Sequence, residues 1–320
     1  MFWLRRGPGI NRPFMNAVIL LALSAITLQV AAGQQALAPA TDQSPRISVD
    51  VDLVVLHATV SDSHDHLVTD LQEQNFEVYE DGIRQQISLF RHEDVPVAVG
   101  LVVDHSASMR RKLPDVSAAA RTFVHSSNPQ DQMFVINFNE NVSLGLPGTV
   151  RFSNSGTELE RAILNAPAGG KTALYDAVVE ALGRVKQSPL NKKVLIVISD
   201  GGDNASAHTL AQVANLAEQS SAIIYTMGIF DEEDADRNPR VLRRLARATG
   251  GKAFFPGRTS EVVDICERIA HDIRHQYTIG YAPTNPTRNG GYRSVRVAAQ
   301  ASGHGKLMVR TRTGYLAQAP

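Results

Sequence analysis

The sequence contains a single cysteine, Cys266, so no disulfide can form within the chain. The fold must rest on its core, although a lack of disulfides does not by itself place a protein in the cytosol. Lys and Arg number 32 and Asp and Glu number 32, so neither sign is in excess. No long run of Lys and Arg stands out either, and the basic footprint of a nucleic-acid-binding protein is missing. The main N-terminal apolar run, Ala17 to Ala32, is roughly 16 residues, short of the ~20 that a membrane span takes. What is present is a hydrophobic content of 43%, enough for a substantial core. A length of 320 residues suits one large domain or two modest ones.

The N-terminus bears on compartment. Arg5, Arg6 and Arg12 precede the apolar run, and Ala31, Ala32 and Gly33 follow it. Charged, apolar and small residues in that order form a secretory signal over residues 1–33. Left uncleaved, the segment would anchor the chain in a membrane. Arg5-Arg6 alone is a weak twin-arginine mark, and no Cys follows the run to carry a lipid. Cleavage removes three arginines and no acid, leaving 29 basic against 32 acidic residues. The expected destination is the periplasm or the medium.

Residues 34–46 read as a flexible linker. From Ile47 to Val60 apolar and polar residues alternate, the period of a half-buried strand. Phe76 to Phe90 forms a second unit around Asp81-Gly82, a two-residue hairpin turn. Residues 47–92 are thus expected to be an antiparallel β segment. Between 94 and 275 apolar runs alternate with helical stretches. Strands are expected at 97–103, 132–138, 193–199, 221–229 and 252–255. Helices are expected at 114–126, 158–165, 173–187, 208–219, 238–248 and 260–275. Pro114 suits the first position of its helix, and Thr157 suits an N-cap with Glu160 completing a capping box. Such alternation predicts an α/β fold with a doubly wound, mainly parallel, Rossmann-like sheet flanked by helices. Residues 276–316 return to short alternating runs. They are expected to pair with 47–92 in an additional antiparallel β domain, with the α/β domain inserted between the two segments.

Three stretches carry chemistry. Asp104-His105-Ser106-Ala107-Ser108 follows the apolar run from Val97, Gly169-Gly170-Lys171-Thr172 opens a helix, and Ser199-Asp200-Gly201 ends the apolar run 194–198. Loops at the carboxyl ends of strands in such a sheet share one edge, where ligands bind. Two carboxylates and three hydroxyls are hard oxygen donors, suited to Mg²⁺, Ca²⁺ or Mn²⁺ rather than zinc.

These stretches, extended through Ala173 to Ala177 and Gly202 to Asn204, resemble in order the three metal-site motifs of von Willebrand factor type A (VWA) domains. The resemblance covers about residues 94–275. It implies a metal-ion-dependent adhesion site in which Asp104, Ser106, Ser108, Thr172 and Asp200 surround a divalent cation, some through water, with Mg²⁺ the first expectation. It also implies a partner, protein or matrix, that offers an acidic residue to the open position. The flanking β segments and the closing Arg310-Thr311-Arg312-Thr313-Gly314-Tyr315 look like exported type A-related proteins of soil bacteria such as acidobacteria.

The expected function is an exported, non-enzymatic, cation-dependent binding or adhesion module. A hydrolase using the same cation, or an envelope component with a stabilising metal, are the alternatives. Hydrolysis needs a base near the metal, and His105 sits at a position whose side chain should point away. Gly170-Lys171-Thr172 resembles the end of a P-loop, but the first glycine of that motif falls on Asn165, which excludes a nucleotide. His64-Asp65-His66 reads as a hydrophilic loop. The acidic run Asp231-Glu232-Glu233-Asp234-Ala235-Asp236 reads as a solvated loop on the metal's edge. Cys266 lies on the helical row Val262, Cys266, Ile269, Ile273 and is expected in the core.

Overall fold

A computed structural model describes residues 53–230, 237–258 and 260–317. Residues 1–33 and 34–46, where a signal and a linker are expected, positions 47–52 and the acidic run 231–236 lie outside the described residues. The described chain begins with β1 (Val54–Ser61), β2 (Phe76–Glu80), β3 (Ile83–Gln85) and β4 (Ile87–Arg91). Next come β5 (Val97–Asp104), α1 (Leu113–His125), β6 (Gln132–Phe138), β7 (Val142–Leu144), α2 (Gly156–Leu164), α3 (Leu174–Val185) and β8 (Lys192–Ser199). These are followed by α4 (Leu210–Gln219), β9 (Ala222–Gly228), α5 (Pro239–Ala248), β10 (Ala253–Phe254) and α6 (Glu261–Arg274). The described chain ends with β11 (Tyr277–Tyr281), β12 (Tyr292–Ala299), β13 (Met308–Arg310) and β14 (Gly314–Leu316).

The central sheet has the order β10-β9-β8-β5-β6-β7, parallel except for β7. Every residue of β5 is buried, and so is nearly all of β8. That explains their unbroken apolar runs, since helices cover both faces of the sheet. From β5 the chain moves to β6 on one side, and later returns to β8 on the other. The order therefore reverses between β5 and β8. This is the topological switch point, where a doubly wound sheet leaves a crevice at its carboxyl edge.

Two further sheets, β13-β1-β11-β4 and β14-β12-β2-β3, are antiparallel and share one core containing Leu56, Phe76, Val78, Tyr277 and Ile279. β1 lies between β11 and β13, and β2 pairs with β12, so segments before and after the α/β part are woven together. Either segment alone would be marginal, because a lone hairpin buries too little. The expected fold class is the one found.

Glu80, almost fully buried, accepts the Tyr281 hydroxyl of the opposite sheet at 2.7 Å and that of Tyr315 at 2.8 Å, with Arg293 3.6 Å away. Asp272 anchors α6 in a similar way. Its carboxylate accepts from Thr59 on β1 at 2.7 Å and from Tyr225 on β9 at 3.0 Å, and it pairs with Arg310 on β13.

Several local expectations need correction. The second helix starts two residues early, at Gly156, and its cap is Ser155 rather than Thr157. Ser155 Oγ accepts from Glu158 N at 3.4 Å, and Ser153 Oγ holds the Glu158 carboxylate at 2.6 Å. Ser155-x-x-Glu158 offers the same capping pattern as Thr157-x-x-Glu160, and the bond from Ser153 decides between them. Pro114 is second in its helix, after Leu113, where its missing N–H is still no loss. Asp81 and Gly82 both take positive φ, as the hairpin turn demands. After Gln85, however, the chain leaves that hairpin, and β4 joins the other sheet.

Histidines at the base of the fold make its stability sensitive to acid. Burial, then the charges of Lys192 and Arg312, lower His57 to about 3. Burial also lowers His92 and His271, with His275 adding to the effect. A histidine held neutral in the fold titrates near 6.5 when unfolded, so the unfolded chain takes up the extra proton. Stability is therefore lost as pH falls below about 6.5. For His57 alone the slope approaches ~1.4 kcal/mol per pH unit between about 5.5 and 4. His57→Gln is expected to flatten that part of a urea-unfolding profile against pH. An unchanged slope would assign the acid sensitivity elsewhere.

Candidate functional site

β5 and β8 run in register, Val103 beside Ile198, so Asp104 and Ser199 leave the sheet as neighbours. Ser199 Oγ donates to Asp104 Oδ2 at 2.6 Å and accepts from Gly201 N at 3.0 Å. Asp104 Oδ1 accepts from Ser106 N at 2.8 Å. A single 3-10 turn, Ala107–Met109, then swings Ser108 across to the next strand end. Ser108 Oγ donates to Asp200 Oδ2 at 2.5 Å and lies 3.1 Å from Ser106 Oγ. Gly202 N donates to Asp200 Oδ1 at 2.9 Å. The carboxylates of two adjacent strands are thereby linked through serine hydroxyls.

The second loop is stitched to both of the others. Gly169 N donates to His105 O at 2.7 Å, and Ala107 N to Gly170 O at 3.4 Å. Thr172 N donates to Asn204 Oδ1 at 2.9 Å, while Asn204 N and Ala205 N return to Thr172 O. Gly170 has φ +82°, and a Cβ there would lie 1.6 Å from the Glu140 carboxylate. Only glycine lets Glu140 accept Lys171 N, at 2.8 Å. The structure thus brings Asp104, Ser106, Ser108 and Asp200 into one bonded chain. It ties the Thr172 backbone to the same loop as Asp200.

Asp104, Ser106, Thr172 and Asp200 are buried, and Ser108 is half-buried. Burial first, then the charge of Asp200, push the Asp104 carboxyl up to about 6, against the pull of its bonds from Ser106 and Ser199. Among the described residues no basic side chain pairs with either carboxylate. A small dication fits this donor set, because it would replace repulsion between two buried acids with attraction to both. No group of three or more His, Cys, Asp or Glu that could hold a metal occurs among the described residues, so hydroxyls would have to complete any shell.

His105 is buried, with Nε2 3.1 Å from Asn137 Oδ1, and Asn137 Nδ2 donates to Ala162 O at 2.7 Å. It supports the loop from beneath. His64 and His66 sit on an exposed turn, where their backbone N–H groups donate to Asp62. Cys266 is buried on α6, and burial raises its thiol to about 12, which keeps it unreactive.

Sequence reasoning gave no role to Ser199, Asn204, Asp203 or Asp176. Asp203 accepts Tyr175 N at 2.9 Å and Ser206 Oγ at 2.6 Å, and Asp176 accepts Ala207 N, His208 N and the His208 ring. These bonds lace the third loop to the start of α3. The available signal was a short run of Asp, Asn and Ser after Asp200, types whose side chains take up nearby backbone N–H groups.

Loops meeting at the switch point of a doubly wound sheet, with acids and hydroxyls converging, define the class as an α/β domain with a polar crevice at its carboxyl edge. The sequence matches the von Willebrand factor type A domain over residues 99–268, more than half the chain, and the protein belongs to that family. Among solved structures it is similar to a von Willebrand factor type A protein from Catenulispora acidiphila, with a TM-score of 0.50 and 14% identity over 83% of this chain and 74% of that one. It is also similar to the vWF domain of the type V pili tip protein Mfa5 from Porphyromonas gingivalis, with a TM-score of 0.47 and 14% identity over 56% and 95%. For the PilB minor pilin from Streptococcus sanguinis the values are 0.46 and 11% over 58% and 62%. No curated protein matches the chain. Identities this low establish the fold alone.

Proposed function

We propose that the protein is an exported binding module whose VWA domain holds a divalent cation, Mg²⁺ first, and uses it to grip an acidic group on a protein or matrix partner. Asp104, Ser106, Ser108, Thr172 and Asp200 would form the metal-ion-dependent adhesion site. The observation that carries this reading is the Ser108–Asp200 bond, with Ser106 alongside, which unites hard oxygens from two strand ends. Two carboxylates about neutralise a dication, and neutral hydroxyls leave it electrophilic enough to attract a further carboxylate. Binding fits better than hydrolysis, because the neighbouring imidazole, His105, is buried and engaged by Asn137.

In the same proposal, residues 1–33 direct export and 34–46 tether the folded part. The VWA domain, 94–275, is inserted between β segments 47–92 and 276–316. The cation and the partner's acid supply attraction, and the surrounding loops supply selectivity. Capture of partners from a surface extract of the producing cells is expected in Mg²⁺, with release by EDTA and loss in Asp104→Ala. Equal capture by that variant in the presence of chelator would refute the proposed grip.

A further inference from the structure

At the amino ends of β5, β8 and β9, away from the carboxylate loops, lies a partly open cavity of about 540 Å³. Its walls come from the base of the central sheet and from β1, β4 and β11. The size falls within the ~300–1,000 Å³ of small-molecule sites, which are mostly apolar with a few placed polar groups. Val55, Leu89, Leu190 and Ile223 supply apolar wall.

The polar groups are unequal. Lys192 Nζ is committed to Ile273 O, and Arg91 lies 3.6 Å from Glu93. Arg312 is different. Its guanidinium makes no hydrogen bond or ion pair among the described residues; it lies 5.5 Å from the Tyr315 ring, and its charge is felt by Tyr281, Tyr292 and, in the cavity wall, His57. Both Arg312 Nε and the adjacent Thr311 Oγ1 are buried without a partner. A buried donor left unpaired is costly, most of all on a charged group.

The cation does not serve as a cap for the helix ends at this edge, because those carbonyls are already occupied. Ala217 O, at the end of α4, accepts from Ser220 N and Oγ. Ala246 O, at the end of α5, accepts from Thr249 N and Oγ1 and from Gly251 N. Of the two acids in the wall, Glu93 faces Arg91, which leaves half-buried Glu218 as the one acid not held by a wall cation.

We propose that this cavity binds a small amphiphile with one carboxylate head, seated on the Arg312 guanidinium and Thr311 hydroxyl, its apolar body against Val55, Leu89, Leu190 and Ile223. A planar guanidinium matches a carboxylate with two parallel bonds, and the apolar wall favours a chain over a compact polar acid. The site is separate from the cation loops and does not depend on them.

The test is calorimetric titration of the full chain with dodecanoate and with dodecanol. Wild type is expected to bind one dodecanoate, at least about tenfold more tightly than dodecanol, the discrimination a charged hydrogen bond supplies. Arg312→Gln should bring dodecanoate down to the affinity of dodecanol. Leu190→Trp, which fills the cavity, should weaken both at least about tenfold. Asp104→Ala should bind dodecanoate like wild type, separating this site from the proposed cation site. No saturable binding by wild type, equal affinities for the two probes, or undiminished dodecanoate binding by Arg312→Gln would each overturn the proposal.

Discussion

Asp104→Ala is expected to abolish the rise in melting temperature that Mg²⁺ confers, while leaving the metal-free fold standing. A cation at one hundred times its dissociation constant stabilises the folded state by ~2.7 kcal/mol. For a domain of this size that is a shift of roughly 5–10 °C. Without metal, Asp104 contributes little that the fold would miss. It is a fully buried acid raised to about 6 by burial and by Asp200, so its ionised form opposes folding. The substitution frees Ser106 N and one bond of Ser199, but Ser199 Oγ still accepts from Gly201 N. The metal-free melting temperature should therefore change by no more than about 3 °C, in contrast to the loss of the whole metal-dependent shift. Scanning calorimetry in EDTA and in Mg²⁺ separates the two effects. A variant that keeps the shift would remove Asp104 from the metal shell.

Glu80→Ala is expected to cost about 3–5 kcal/mol, the usual penalty for removing one partner of a buried ion pair. Arg293, mostly buried, would lose the nearer of its two carboxylates and keep its bond to Thr287 O at 2.8 Å and the half-exposed Asp81 carboxylate at 3.9 Å. The Tyr281 and Tyr315 hydroxyls would lose their acceptor as well. Because Tyr281 belongs to one sheet and Glu80 to the other, the loss falls on the contact between sheets. Glu80→Gln should cost less, since its amide oxygen still accepts from tyrosine. Urea unfolding measures both variants. The Mg²⁺ shift should keep its size in Glu80→Gln, because none of the carboxylate loops touches this network.

The α/β part was legible for a physical reason. β5 and β8 are covered on both faces, so their sequences are largely unbroken apolar runs, with an acid at the end of β5 and another just past the end of β8. The three loops were legible as short motifs, since each places its donors within a few residues. Pairings across long separations were not. The run from Ile83 to Phe90 is short enough to read as one strand, yet β3 and β4 belong to different sheets, and the only local mark of the crossing is the polar stretch Arg84-Gln85-Gln86. Glu80 looks like a solvent-facing strand end until Tyr281 and Tyr315, more than two hundred residues away, are folded over it. Asp272 is hidden likewise, because its partners Thr59 and Tyr225 come from distant strands. Ser199 was visible as a residue but not as a donor, since its role depends on the β5–β8 register.

The most direct measurement of the proposed metal site is a titration with Mn²⁺ followed by electron paramagnetic resonance. Mn²⁺ shares the preference for hard oxygen donors and loses its sharp free-ion signal when bound. Wild type should bind one Mn²⁺ that Mg²⁺ displaces, and Asp200→Ala and Thr172→Ala should bind it at least about tenfold more weakly. Equal Mn²⁺ affinity in wild type and Asp200→Ala, or no bound Mn²⁺ in wild type at all, would contradict a cation held by these loops.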